Sequence, residues 1–269
     1  MNLARAFDAT SVYYSSEDNT SAKVVALPRS GAGVPRTIVS GLHIVETMTV
    51  DATSLYFVDF DSSGTGATLI GKVPLRSDSP DGAAFETISP PQTADLRALT
   101  TYGDYVYWLT NGGGAARLSG AIQRVPKAGG PIETIASEVI NGQQVLVDDN
   151  GVYWLNEGHN GVDCTATDGD IRYLASGATT PVVLISNLAG ALSFVLAGGS
   201  LVVGISGAHC NIAPASANLL KVAIPSGRQT VLVPNVSGPD NLFYDGSDLY
   251  YTLATDPEND TLSPAMVKP

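Results

Sequence analysis

A short apolar and aromatic pattern recurs six times along the chain, and no other feature of the sequence restricts its fold so tightly. The copies are Val12-Tyr13-Tyr14, Leu55-Tyr56-Phe57, Val106-Tyr107-Trp108, Val152-Tyr153-Trp154, Leu201-Val202-Val203 and Leu249-Tyr250-Tyr251. Their middle residues are separated by 43, 51, 46, 49 and 48 residues. That is the length of a four-stranded propeller blade and too long for most helical repeats. The expectation is an all-β, six-bladed β-propeller of antiparallel blades. It forms a single domain over residues 1–269, with blades at about 1–40, 41–90, 91–137, 138–187, 188–235 and 236–269.

Alternating and β-branched residues, punctuated by Gly, Pro, Asp and Ser clusters, mark the strands within each copy. In the first copy they fall at 3–7, 12–15, 23–27 and 36–39. The second copy nearly repeats the first turn, Asp8-Ala9-Thr10-Ser11 returning as Asp51-Ala52-Thr53-Ser54. Later outer strands are expected at 85–88, 132–135, 182–185 and 230–233. The sixth copy carries strands at 242–244, 249–253 and 265–267, so its blade is expected to be three-stranded. An edge exposed there invites pairing with another chain in an otherwise monomeric protein.

Charge narrows the partners. A net charge of -12 and a pI near 4.4 argue against nucleic acid, whose phosphates need a cationic stripe. No apolar run approaches the roughly 18 residues of a membrane span. The opening Met1-Asn2-Leu3-Ala4-Arg5 has no secretory apolar segment, so any export signal is expected to be already removed or never present. Basic residues recur beside aliphatic ones in the third strands, as in Lys23-Val24, Lys72-Val73 and Arg124-Val125, which fits surface solubility and stem packing.

Cys164 and Cys210 fall in equivalent long loops of neighbouring blades. Three readings are open: a Cys164–Cys210 disulfide, which implies an oxidising, extracytoplasmic setting; two free thiols; or a zinc site with His159 and His209. The spacing of those cysteines and histidines matches no finger or ribbon pattern.

Tyr107-Trp108-Leu109-Thr110, Tyr153-Trp154-Leu155-Asn156 and Tyr56-Phe57-Val58-Asp59 each follow an aliphatic residue and precede a basic-aliphatic strand. The chain thereby resembles the YWTD-type six-bladed propellers and their bacterial TolB-like relatives over all six repeats. The Asp that ends the motif stands only at Asp59. The resemblance implies a fold shared by scaffolds, ligand-capturing domains and enzymes.

Propeller sites sit at the mouth of the axial channel. Ten residues before each repeat centre stand Leu3, Glu46, Arg97, Gln143, Leu192 and Asp240. Glu46, Gln143 and Asp240 could ligate calcium or zinc, but Arg97 in the same ring argues for ion pairs with Glu46 or Asp240 instead. The loops after the second strands add Glu17, Asp18, Asp59, Asp61, Glu157, His159, Asp163, His209, Asp256, Glu258 and Asp260. The run from Asp256 to Asp260 lacks calcium-loop spacing. All three histidines, His43, His159 and His209, map toward this face, where one could act as a general base. No G-x-S-x-G elbow, P-loop or dinucleotide fingerprint is present, and Gly112-Gly113-Gly114 lies in a polar loop.

The expected function is extracytoplasmic binding of a protein or small-molecule ligand on this acidic face, without a required cofactor, through Glu46, Arg97, Gln143, Glu157, His159, His209 and Asp240. A metal-assisted lactonase, hydrolase or lyase is the alternative, with Glu46, Gln143 and Asp240 as ligands and His43 or His159 as base. A purely structural module of a larger assembly is the third.

Overall fold

The protein is a computed structural model describing residues 4–17, 21–61, 66–76, 82–111, 120–157, 169–188, 191–205, 218–236, 239–253 and 263–267. The side chains of residues 191–192, 240, 252–253 and 263–267 lie outside the description. Two compact units are present, Met1–Val139 and Ile140–Pro269.

Unit 1 holds three antiparallel sheets, each running in chain order from its first strand to its fourth. The first is β1 (Arg5–Phe7), β2 (Ser11–Glu17), β3 (Ala22–Pro28) and β4 (Arg36–Leu42). The second is β5 (Ile44–Val50), β6 (Ser54–Phe60), β7 (Thr68–Pro74) and β8 (Glu86–Thr87). The third is β9 (Asp95–Tyr102), β10 (Tyr105–Asn111), β11 (Gly120–Pro126) and β12 (Glu133–Val139).

Unit 2 continues with β13 (Gly142–Asp148), β14 (Gly151–Asn156), β15 (Gly169–Ala175) and β16 (Val182–Leu188). Its next sheet is β17 (Ala191–Ala197), β18 (Ser200–Ile205), β19 (Asn218–Ala223) and β20 (Gln229–Pro234). The last is β21 (Pro239–Tyr244), β22 (Leu249–Leu253) and β23 (Ser263–Val267), three strands as expected. The described residues contain no helix.

The recurring motif occupies the second strand of each sheet. In β6, β10 and β14 nearly every residue is buried, on both faces, because each sheet packs against a neighbouring one. This explains why the motif reads as a continuous apolar run rather than an alternation. In unit 1, Tyr13, Leu55, Phe57 and Leu75 share the core between the first two sheets, and Tyr56, Val106 and Trp108 that between the second and third. In unit 2, Tyr153, Phe194 and Leu201 join the first two sheets, and Val202, Leu242 and Tyr251 the last two. Removing the fully buried Trp108 or Trp154 side chain would cost about 3–5 kcal/mol. At Gly71 an added Cβ would lie 2.3 Å from the Phe57 ring, so glycine there makes room for the aromatic core.

Four outer strands run further than the sequence pattern suggests. Three of them end on a left-handed residue followed by a buried aliphatic one, Gly41 then Leu42, Glu138 then Val139, and Asn187 then Leu188; in the fourth the same pair, Asn235 then Val236, follows the last strand residue Pro234. The alternation breaks at the left-handed residue, which is why pattern reading stopped at 39, 135, 185 and 233. Glycine and asparagine tolerate that backbone; Glu138, at φ 60°, does so with strain.

The turn between first and second strands carries a second repeated device. Asp8 Oδ1 accepts from the Thr10 N–H (2.6 Å), Thr10 Oγ1 (2.8 Å) and the Ser11 N–H (2.8 Å), and Oδ2 accepts from Tyr13 OH (2.7 Å). Asp51 repeats this with Thr53, Ser54 and Tyr56, and Asp245 with Ser247, Asp248 and Tyr250. The Tyr of the core motif thus also clamps the turn Asp five residues before it.

Candidate functional site

At the other end of the strands, where the inner strands begin, polar side chains gather. Each unit has its own cluster. In unit 1, the Asp59 side chain at the end of β6 accepts the His43 N–H at 2.8 Å and lies 3.1 Å from His43 Nδ1. Asp59 is only 3% exposed while His43 is 48% exposed, so a buried carboxylate orients a half-open imidazole. His43 Nε2 is 3.8 Å from Asp61 Oδ1. In the neutral tautomer that donates Nδ1–H to Asp59, Nε2 is the acceptor nitrogen.

Beside it, Glu46 occupies a β-bulge. Val45 pairs with Asp59 and Thr47 with Val58, which leaves Glu46 as the extra residue of β5. Bulges re-aim side chains, often next to sites. Glu46 is exposed and makes no hydrogen bond or ion pair among the described residues. Partial removal from water and the nearby Asp95 carboxylate push its carboxyl above the ordinary range; Arg97 works in the opposite direction.

Arg97 does not pair with Glu46, one of the two partners the sequence suggested; the side chain of the other, Asp240, lies outside the described residues. Its Nε donates to Asp95 Oδ2 at 3.0 Å. Strand geometry allows it: residues two apart on a strand point to the same face, so the long Arg97 side chain can reach back to Asp95. Unit 2 repeats the arrangement, Arg172 Nε donating to Asp170 Oδ2 at 2.8 Å. The D-x-R spacing in both places is the signal that sequence reading passed over.

In unit 2, Gln143 is likewise the extra residue of its strand, between the Gly142–Asn156 and Gln144–Leu155 pairs. Its Nε2 donates to Glu157 Oε2 at 2.7 Å, and Asn141 Nδ2 donates to the same oxygen at 2.7 Å. Two residues expected to line the site, Gln143 and Glu157, are therefore directly bonded. Asn156 does for unit 2 what Asp59 does for unit 1: its Oδ1 accepts the Ile140 N–H at 3.2 Å. Its Nδ2 donates to Asp170 at 2.6 Å, a bond that Asp59 could not make.

The counting-back rule thus lands on bulges at Glu46, Gln143 and Leu192, while in β9 and β21 the irregularity falls just after Arg97 and Asp240. Leu3, Asp18, His159, Asp163, Cys164, His209, Cys210, Asp256, Glu258, Asp260 and Gly112 to Gly114 lie outside the described residues. The Asp240 backbone pairs with Thr252. Among the described residues, no three His, Cys, Asp or Glu side chains converge as a metal site.

Neither a family model nor a curated protein matches the chain. Solved structures do. The chain superposes on a puromycin-hydrolysing peptidase of Mycobacterium tuberculosis with TM-score 0.67 and 13% identity, over 97% of this chain and 42% of that one. TolB from Acinetobacter baumannii gives TM-score 0.64 and 11% identity, over 97% and 61%. The β-propeller domain of the Trilobed protease from Pyrococcus furiosus gives 0.62 and 9%, over 99% and 80%. The chain spans less than half of the peptidase. These likenesses establish the fold as a TolB-like β-propeller and leave the activity to the site.

Proposed function

We propose that this propeller is a binding protein that acts outside the cytoplasm, and that the leading end of the unit 1 inner strands receives a cationic group of its ligand. One observation carries the reading: Glu46 is an exposed carboxylate on a bulge, unpaired among the described residues and crowded by Asp95. A cation placed there relieves the repulsion between the two carboxylates, and Asp61 adds to the same field. Asp59 and Asp95 are already engaged, by His43 and Arg97, and hold their partners in place rather than meeting the ligand. Gln143 and Glu157, with Asp240, His159 and His209, are proposed as ligand-contacting residues of unit 2 in their own right. The YWTD-type kinship is part of the same reading, supported by Asp59 and Asn156 tying the second strand to the start of the first in their sheets.

Calorimetric titration with acetyl-trilysine amide at low and high salt tests the reading. Binding that weakens with salt and falls at least fivefold in Glu46→Gln supports it; equal binding by both proteins overturns it. The extracytoplasmic placement rests on a Cys164–Cys210 disulfide, and thiol titration of the unfolded protein without reductant tests it: two reactive thiols would remove that support.

His43 favours a second reading. Its Nδ1 is fixed by buried Asp59 and its half-exposed ring carries Nε2 3.8 Å from Asp61, the posture of an oriented base in a metal-assisted hydrolase or lyase. Stoichiometric calcium or zinc in the purified protein, together with ester or lactone turnover lost in His43→Gln, would favour it over simple binding.

A further inference from the structure

A cleft of about 890 Å³ opens between the first two sheets of unit 1 at their turn end, the end opposite Glu46. Turn residues 8–11 and 51–53 form its walls, and the chain leaving β7 closes one side. Its volume is that of a small-molecule site. Tyr13 and Leu75 are buried at its base, while Phe7 stands 45% exposed at the rim.

The charges in the cleft are unequal in what they have left to offer. Asp8 and Asp51 line it, yet both carboxylates are occupied by their own turns, and Asp51 is further paired with Lys127 Nζ at 2.7 Å. The arginines are not used up. Arg36 donates one Nη2 hydrogen bond to the Leu75 carbonyl at 2.7 Å, which fixes the guanidinium and leaves further N–H groups to present. Arg76 makes no hydrogen bond or ion pair among the described residues. Arg29 stands near the same turn, its Nη1 donating to the Asp8 carbonyl at 3.2 Å. This concentration is unusual for the chain: of its 14 basic residues, only Arg172, Lys221, Arg228 and Lys268 follow Val139.

We propose that the cleft binds a small organic anion, with its carboxylate or sulfonate held by Arg36 and Arg76 and its apolar body against Phe7, Val50 and Leu75. Arginine suits this role because its planar fork meets both oxygens of such a head group at once. The apolar residues supply the area that a bare inorganic anion would not use. The site is separate from the leading end and has the opposite charge preference.

Calorimetric titration with octanoate, octanol and octylamine tests the assignment. Octanoate is expected to bind at one site, at least tenfold more tightly than octanol and with octylamine weaker still. Arg36→Gln and Arg76→Gln should each weaken octanoate about tenfold, with Phe7→Ala giving a smaller loss. Glu46→Gln should leave octanoate binding unchanged, so failure here is distinguishable from failure of the cation site. Should Arg36→Gln disturb folding by losing its bond to Leu75, Arg76→Gln decides alone. No octanoate binding, octanol binding as tight as octanoate, or a folded Arg76→Gln variant with undiminished affinity overturns the proposal.

Discussion

Asp51 and Glu46 lie five residues apart, on the same hairpin, at opposite ends of β5, and the fold treats their carboxylates in opposite ways. Burial works to raise the Asp51 carboxyl, but Lys127, the Thr53 and Ser54 amides and the Tyr56 hydroxyl outweigh it and hold the group far below its ordinary value. Glu46 has no such donors, and its carboxyl stands above the ordinary value. The first carboxylate is part of the scaffold. The second is left exposed with its charge uncompensated by any hydrogen bond, which is the property a recognition residue needs. An acidic composition alone therefore says little: what matters is how many donors each carboxylate already has.

Substitutions on the two sides should separate sharply. The largest effect is expected for Asp51→Ala, which removes several hydrogen bonds and strands Lys127. A loss of about 3 kcal/mol in denaturant unfolding is expected, and a loss under about 0.5 kcal/mol would mean that the turn does not need its clamp. Asp8→Ala lacks the lysine partner and should cost about 1–2 kcal/mol by the same assay. A mirror image of that clamp appears on Tyr13, whose hydroxyl is pushed up to about 12 by burial and by Asp8.

Acid titration of stability sharpens the contrast. A carboxyl held low in the folded chain contributes stability above its unfolded value of about 4, and that contribution disappears as pH falls below it. Asp51→Ala should therefore flatten the acid limb of stability against pH. Glu46 has the reverse sign. Its folded value is raised, so stability declines slightly as pH rises from about 4.3 through that value. The smallest effect follows: Glu46→Gln should leave stability at neutral pH unchanged or raise it by no more than about 0.5 kcal/mol, because the group is exposed and water screens it. A larger destabilisation would show that Glu46 belongs to the scaffold after all.

Much of the fold was legible in the sequence because the motif Val106-Tyr107-Trp108 and its copies fill central strands buried on both faces, where residue type is tightly restricted. The three-stranded last sheet was legible because the sixth copy offers only three strand-like segments. The outer-strand ends were not, since the left-handed residues Gly41, Glu138, Asn187 and Asn235 interrupt the alternation and share only a backbone conformation. At the site, Glu46 and Gln143 were found by position, and Gln143 proved to be bonded to Glu157. The Asp95 partner of Arg97 was not foreseen because a ring picture favours residues on other strands, whereas Asp95 is two residues away on the same one. The cleft at Arg36 and Arg76 escaped notice because its walls come from two turns 43 residues apart that look, in sequence, like copies of one structural device.

The most direct measurement is an NMR pH titration of the Glu46 side-chain carboxyl, assigned by comparison with Glu46→Gln, in the free protein and with saturating acetyl-trilysine amide. A midpoint above the ordinary glutamate value in the free protein, falling when the peptide is added, is the expected result. An ordinary midpoint that the peptide does not move would contradict a recognition role for Glu46.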